Sequence, residues 1–376
     1  MSPSSSQPSL PPASSLPVVD LSSPDAHQVL VEACRTTGFF YLAGHGVSLD
    51  LMNAMFSQSA KFFAQPQVFK DKYLPEKNNR GYTAMFEETL DPSNQTIGDT
   101  KEGYYIFRDI TEAELEEERI SNPLAALNKW PDEESLPGWQ ATMKDYYNAM
   151  SSLGQRTTRV LARGLGLEED FFGCCFTKSL SSLRLLHYKD QRSAPEKGVL
   201  GCGAHTDYGL LTFLATDDQP GLEICVNGSW IDVPPRRPGG KGITGLNRPL
   251  ISGMLVVNIG DMLERWTNGV LRSTLHRVCN KTGCERLSAP FFLDPNFDTI
   301  VTAIPKFVSR DRPALFPPTT SGQHLREKYL QVRQKTKAPA PPPYHLLLLP
   351  SVLPSRPTGT LPHKVKKMRV REYTKC

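Results

Sequence analysis

Leu222-Glu-Ile-Cys-Val-Asn-Gly-Ser-Trp-Ile-Asp-Val233 contains two short apolar runs, Leu222–Val226 and Trp230–Val233, joined at Asn227-Gly228. Asn-Gly readily takes the positive φ angles that a tight two-residue connection demands, so the stretch predicts a β-hairpin. Runs of the same kind flank it at Leu183–Tyr188, Leu210–Ala215, Met254–Ile259 and Ala289–Leu293, separated by turn chemistry such as Asp217-Asp218-Gln219-Pro220-Gly221. Several short strands at this spacing predict a β-sandwich or barrel. Upstream the texture is helical. Apolar residues recur at helical spacing over Ala26–Thr37 and Leu49–Ala64, an acidic helix is expected over Thr111–Arg119, and a long one over Leu136–Gly164. Short strands are expected at Leu16–Leu21 and Phe39–Leu42, and a closing helix near Gln323–Val332. The expected class is mainly β with flanking helices (α+β).

The 376 residues carry a net charge of +4, but the charge is uneven. Residues 338–376 hold seven Lys/Arg against one Glu, which leaves residues 1–337 at −2. A near-neutral body lacks the basic face of a nucleic-acid binder, so no nucleic-acid partner is expected. No apolar run is long enough to span a membrane. The Ser/Pro-rich start has neither the basic residues nor the apolar stretch of a secretory signal. A cytoplasmic location is therefore expected, with the sequons at Asn94, Asn227 and Asn280 unused and the eight cysteines reduced. Cys279 and Cys284 have no CxxC or histidine pair beside them, so no zinc cluster is predicted.

The expected organisation is a leader at 1–15, an N-terminal helical and strand region at 16–135, and a spine helix plus β core at 136–335. A Gly/Pro/basic insertion is placed at 234–247 and a Pro-rich, then basic, tail at 338–376. The insertion's Gly-Gly-Lys-Gly lacks the spacing of a phosphate loop.

Most of the eight histidines sit in polar or turn contexts; His45, for example, reads as a structural turn or core residue. His205 and His276 differ. In Gly203-Ala-His-Thr-Asp207, His205 and Asp207 are two apart, and near a strand end such residues share a face. Leu275-His276-Arg277-Val278 supplies a second imidazole on a distant strand. Two imidazoles and one carboxylate, leaving open positions, form the donor set of non-haem Fe(II) oxygenases. Arg286-Leu287-Ser288 repeats the i, i+2 logic. Its guanidinium and hydroxyl can grip one carboxylate, which predicts a distal anchor for a 2-oxo acid.

These segments together resemble the Fe(II)/2-oxoglutarate-dependent dioxygenases of the isopenicillin N synthase-like class, over residues 16–335. The resemblance is carried by Leu16-Pro-Val-Val-Asp-Leu21, Gly38-Phe-Phe-Tyr-Leu-Ala-Gly-His-Gly-Val47, Leu183-Arg-Leu-Leu-His-Tyr188 and Pro220-Gly-Leu-Glu223. Val257-Asn-Ile-Gly-Asp261 and Ser273-Thr-Leu-His-Arg-Val278 extend it. It departs at Leu186-His-Tyr-Lys-Asp190, where the family's usual run is Asn-Tyr-Tyr-Pro-Pro.

The resemblance implies a distorted double-stranded β-helix, or jelly roll, with a helical N-terminal region. It implies iron on His205, Asp207 and His276, with 2-oxoglutarate on Arg286, Ser288 and Tyr188. O₂ is the oxidant and ascorbate an accessory reductant. Phe213 and Phe292 are candidate pocket-lining residues. Arg80, Tyr82 and Tyr104 are further candidate substrate contacts, because they cluster in an irregular segment expected to reach the mouth. The implied reaction couples decarboxylation of 2-oxoglutarate to succinate and CO₂ with hydroxylation, desaturation or cyclisation of a small organic metabolite, by a monomer. Two alternatives stand beside it: an iron oxygenase of this fold that dispenses with 2-oxoglutarate, and a non-catalytic metal or 2-oxoglutarate sensor.

Overall fold

A computed structural model describes residues 16–75, 79–236 and 253–335. The expected leader and tail, and all but the start of the expected insertion, lie outside the described residues. Two helices near the N-terminus follow the apolar periodicity. α1 (Ala26–Thr36) buries Leu30, Val31, Ala33 and Cys34, and α2 (Leu49–Phe63) starts at Ser48, whose hydroxyl accepts from the backbone of Asp50 and Leu51. Gly38, at φ 70°, turns the chain out of α1. A Cβ there would lie 2.6 Å from Thr274 Oγ1, so the position tolerates only glycine.

α3 (Gln67–Lys70) and α4 (Glu112–Glu118) are short, and the spine is α5 (Trp139–Gly164). Late in the chain come α6 (Asp261–Trp266) and α7 (Ser321–Lys335). The strands that build the two larger sheets are β1 (Val18–Asp20), β2 (Phe39–Ala43), β3 (Gly81–Thr83), β4 (Glu102–Phe107), β5 (Ser182–Tyr188) and β6 (Cys202–His205). They continue with β7 (Leu211–Thr216), β8 (Leu222–Val226), β9 (Ser229–Asp232), β10 (Leu255–Ile259), β11 (His276–Val278) and β12 (Arg286–Leu293).

An eight-stranded sheet runs in the order β1-β2-β10-β7-β12-β5-β4-β3, and a four-stranded sheet in the order β6-β11-β8-β9. The predicted hairpin joins β8 to β9, pairing Val226 with Ser229. Asn227 and Gly228 take φ 50° and 80° there, as a two-residue turn of this hand requires. This is the jelly roll that the resemblance implies. The helical N-terminal region is there in α1 to α4, and beside the expected strands β1 and β2 it adds β3 and β4, so that β1 to β4 supply half of the large sheet. Strands β3 and β4 escaped the pattern because both of their faces are covered, which erases the apolar–polar alternation of a half-exposed strand.

Alternation divides the large sheet into two faces. Leu183, Leu185, Phe213, Val257, Phe291 and Leu293 turn to one side and join the main core, which they share with α2 and α5. Gly154 of α5 lets the helix sit directly on β12, since a Cβ there would lie 2.7 Å from Leu293. The opposite face, carrying Thr212, Asn258, Ser288 and Phe292, looks toward the small sheet. Between the sheets, Phe39, Tyr41, Leu222, Ile224 and Val256 form a second apolar cluster.

The helix-facing side of β4 buries a charged group. Glu102, 1% exposed, accepts from Lys70 Nζ at 2.6 Å, Tyr82 Oη at 2.6 Å and His187 Nδ1 at 2.7 Å. Burial alone would raise its pKa, but the hydrogen bonds from His187, Lys70 and Tyr82 prevail and hold it at about 2. Glu102→Gln strands the buried Lys70 ammonium, and breaking a buried pair in this way costs about 3–5 kcal/mol. Because the folded-state pKa is depressed, the stabilisation is complete above the unfolded value of about 4.3 and is lost as pH falls toward about 2. Urea unfolding should therefore separate Glu102→Gln from the parent clearly at pH 7 and much less at pH 3.

Candidate metal centre

β6 and β11 are neighbours in the small sheet, and their register sets His276 directly opposite His205. Asp207 follows two residues after His205, where the chain leaves β6. Its Oδ1 lies 3.6 Å from Nε2 of His205 and 3.6 Å from Nε2 of His276. One donor atom from each of the three falls within 4.8 Å of the others. The remaining polar atoms of all three are already engaged. His205 Nδ1 donates to Gly203 O at 2.8 Å and His276 Nδ1 to Thr274 O at 3.0 Å. Asp207 Oδ2 accepts from Thr212 Oγ1 at 2.6 Å and from Asn258 Nδ2 at 2.7 Å. Both Nε2 lone pairs and Oδ1 are thus left to converge on one point.

The electrostatics fit a cation there. Burial, reinforced by neighbouring His205, lowers His276 to about 4, so the ring is a neutral donor near pH 7. Burial would raise Asp207, but the two imidazoles and the two hydrogen bonds prevail and lower it. Two imidazoles with an ionised carboxylate, each fixed by its outer hydrogen bonds, are a donor set that suits Fe(II).

In the large sheet, β12 pairs with β5 so that Arg286 faces Tyr188 and Ser288 faces Leu186. Arg286 is 2% exposed. Its Nε donates to Gln219 O at 3.2 Å, its Nη1 to Ser288 Oγ at 3.1 Å, and the guanidinium lies 5.0 Å from the Tyr188 ring centroid. Asp217 lies behind it. Burial raises that carboxyl while the charge of Arg286 opposes the rise. Arg286, Ser288 and Tyr188 are therefore one group on the inner wall.

The substrate candidates divide. Phe292 is half-buried on the inner face, two same-face steps beyond Ser288. Phe213 is not on that face. It pairs with Phe291 and Val257 and is fully buried on the helix side, so it lines the core rather than the mouth. Tyr82 and Tyr104 also need correcting. They sit opposite each other on β3 and β4, fully buried among Phe62, Tyr73 and Trp139, not in an irregular segment. The strand phase that sends Tyr104 outward to the helices sends Tyr105 and Phe107 inward. Arg80 is nearly buried, with its guanidinium 4.3 Å above the Phe107 ring and Nη1 donating to Leu124 O.

Sequence reasoning missed Tyr105, Phe107, Thr212 and Asn258. Only Asn258 carried a usable signal, as a lone polar residue inside the apolar strand Met254–Ile259. His45 behaves as expected for a structural residue, with Nε2 3.0 Å from Gly253 O and Nδ1 accepting from the Val47 N–H at 3.1 Å.

Two family profiles match the chain. One, described as non-haem dioxygenase in morphine synthesis N-terminal, covers residues 16–133; the other, the 2OG-Fe(II) oxygenase superfamily, covers 180–295. Kihadalactone A synthase LFS of Citrus sinensis is 33% identical over 336 residues, spanning 86% of this chain and 94% of that protein. A 2-oxoglutarate-Fe(II) type oxidoreductase of Aspergillus fumigatus is 32% identical over 304 residues, spanning 79% and 84%. Among solved structures, a full-length Neurospora crassa protein in complex with alpha-KG aligns with a TM-score of 0.70 at 27% identity, covering 84% of this chain and 96% of that one. JOX2 in complex with 2OG, Fe and JA aligns at 0.66 and 28%, covering 85% of each.

Proposed function

The chain belongs to the 2OG-Fe(II) oxygenase superfamily, and from that premise we propose that His205, Asp207 and His276 hold its iron while Arg286, Ser288 and Tyr188 hold its 2-oxoglutarate. The protein is a 2-oxoglutarate-dependent oxygenase of small metabolites. The observation that carries the residue assignment is the convergence of two Nε2 atoms on one carboxylate oxygen, with every other polar atom of the three side chains already tied down. When bound, iron and 2-oxoglutarate supply the oxidising power, with O₂, that turns 2-oxoglutarate into succinate and CO₂ and oxidises a C–H bond of the substrate.

The protein's own contribution is placement. Thr212 and Asn258 fix Asp207 so that Oδ1 alone faces the metal. Arg286 and Ser288 grip the distal carboxylate of 2-oxoglutarate, which directs its 2-oxo acid end toward the three donors. The Tyr188 hydroxyl, on the facing strand, assists. Tyr105, Phe107 and Phe292 give the cavity an aromatic wall suited to a small organic metabolite with substantial apolar surface. Such a wall also keeps water from the reacting end.

Among the described residues no helix is long and apolar enough to cross a membrane. We propose a cytoplasmic monomer with no nucleic-acid partner. The near-neutral body supports this, and light scattering of the purified protein tests its oligomeric part.

The decisive experiment is an anaerobic Fe(II) titration with and without 2-oxoglutarate. A weak visible charge-transfer band should appear only when both are present. Iron binding without a band sinks the co-substrate assignment, and no iron binding sinks the metal assignment.

A further inference from the structure

The loop between β3 and β4 brings buried charges together beside β6. Asp99 is 0% exposed and Lys101 3%. The Lys101 ammonium pairs with Asp99 and, at 3.1 Å, with Glu88, which in turn binds Arg184 of β5. The Arg184 guanidinium lies 4.3 Å over the Tyr105 ring on the inner wall. Two cations and two anions alternate along this row, which is what makes burying them tolerable. Burial would raise Glu88, but Arg184 and Lys101 prevail and hold it at about 2, so it is ionised across the working range.

The inner end of the row reaches the metal centre. Asp99 Oδ1 accepts from Gln95 Nε2 and from the backbone N–H of Gly203, each at 2.9 Å. The carbonyl of that same Gly203 accepts from His205 Nδ1 at 2.8 Å. These two bonds belong to the successive peptide units on either side of the Gly203 Cα, so the connection is mechanical rather than an electronic relay. Glycine is the residue least able to fix its own φ and ψ. No side chain can replace it here, because a Cβ would lie 2.1 Å from Gln95 Oε1 and 2.7 Å from the Asp91 amide. The strand that carries His205 thus has its softest link two residues before the donor, and a buried carboxylate is bonded to that link.

We propose that Asp99, held in place by Lys101, is a positioning residue for His205: it fixes the Gly203 backbone whose carbonyl sets the orientation of the imidazole. The proposal rests on the assignment of His205 as an iron donor. A strap that merely tied the loop to β6 would add stability and leave the metal unaffected. The two roles are therefore separable.

The test uses the full chain carrying Asp99→Asn. The amide has nearly the same shape, but one of its two ends must present N–H donors either to Lys101 or to the Gly203 N–H. Loss of a group that orients a metal ligand weakens metal binding by about 10–100-fold, so Fe(II) affinity should fall by about tenfold or more. The Fe(II)–2-oxoglutarate band should shift in energy, and the KM for 2-oxoglutarate should stay unchanged because Arg286 is untouched. Thr96→Val is the control. It removes another tie of the same loop, Thr96 Oγ1 to Lys197 O at 2.7 Å, without touching Asp99.

Parental iron affinity and an unshifted band in Asp99→Asn overturn the proposal, as does an equal loss in Thr96→Val. If Asp99→Asn does not fold, Glu88→Gln tests the row on the other side of Lys101, where the side chain is 27% exposed. A smaller weakening of iron binding supports the proposal and none overturns it. Failure of the unaltered protein to bind iron overturns the site assignment itself, and the positioning proposal with it.

Discussion

Asp207→Ala loses iron and turnover together, with activity falling by at least about 10³-fold. Removal of groups that only orient a metal ligand already costs about 10–100-fold, and Asp207 is proposed as a donor in its own right. It also brings the only negative charge of the set. Without it the two imidazole rings, whose centroids are 4.3 Å apart, face one cavity with no anion between them. Thr212 and Asn258 are left pointing at a void. The loss should appear in metal content after gel filtration as well as in succinate formation. A variant that keeps stoichiometric iron with unchanged affinity would remove Asp207 from the donor set. Asn258→Ala should fall between this variant and the parent, since it frees Asp207 without deleting it.

Arg286→Ala separates co-substrate binding from metal binding. The guanidinium is buried and is already oriented by Gln219 O and Ser288 Oγ, so little freedom is lost when a carboxylate arrives. Deleting one partner of a buried, hydrogen-bonded charge pair costs about 2–5 kcal/mol. A value near 3 kcal/mol corresponds to a rise of about 100-fold in the KM for 2-oxoglutarate. Iron affinity without 2-oxoglutarate should be unchanged. Arg286→Lys should recover only part of the loss, because an ammonium does not reproduce the two-pronged geometry. Equal KM values in parent and alanine variant would show that the distal carboxylate binds elsewhere.

Much of the large sheet was legible because its central strands are short, apolar and bounded by turn residues. The β8–β9 hairpin was announced by Asn227-Gly228 between two short apolar runs. The three candidate donors were legible for a similar reason: His205 and Asp207 are fixed relative to each other by strand periodicity, and His276 sits in a strand of its own.

What stayed hidden depends on pairs. Glu102, Lys101 and Asp99 read as ordinary surface charges until Lys70, Glu88 and Gly203 are brought against them. Tyr104 and Tyr105 are chemically alike and adjacent. Only the phase of β4 against β5 decides that the first belongs to the core and the second to the cavity. Phe213 was misassigned for the same reason, since nothing in its own neighbourhood says which face of β7 looks inward.

The placement of β3 and β4 at the far edge of the large sheet has a consequence for how such a chain diversifies. All the anchors proposed for iron and 2-oxoglutarate lie between residues 188 and 288, whereas Tyr105 and Phe107, proposed for the substrate wall, come from the first third of the chain and are placed on the inner face by strand pairing. Drift in that third can reshape what is admitted while the oxidising apparatus is inherited intact. Recombination between relatives at the stretch joining β4 to α5 would then exchange substrate range as a unit, with the reaction carried along unaltered.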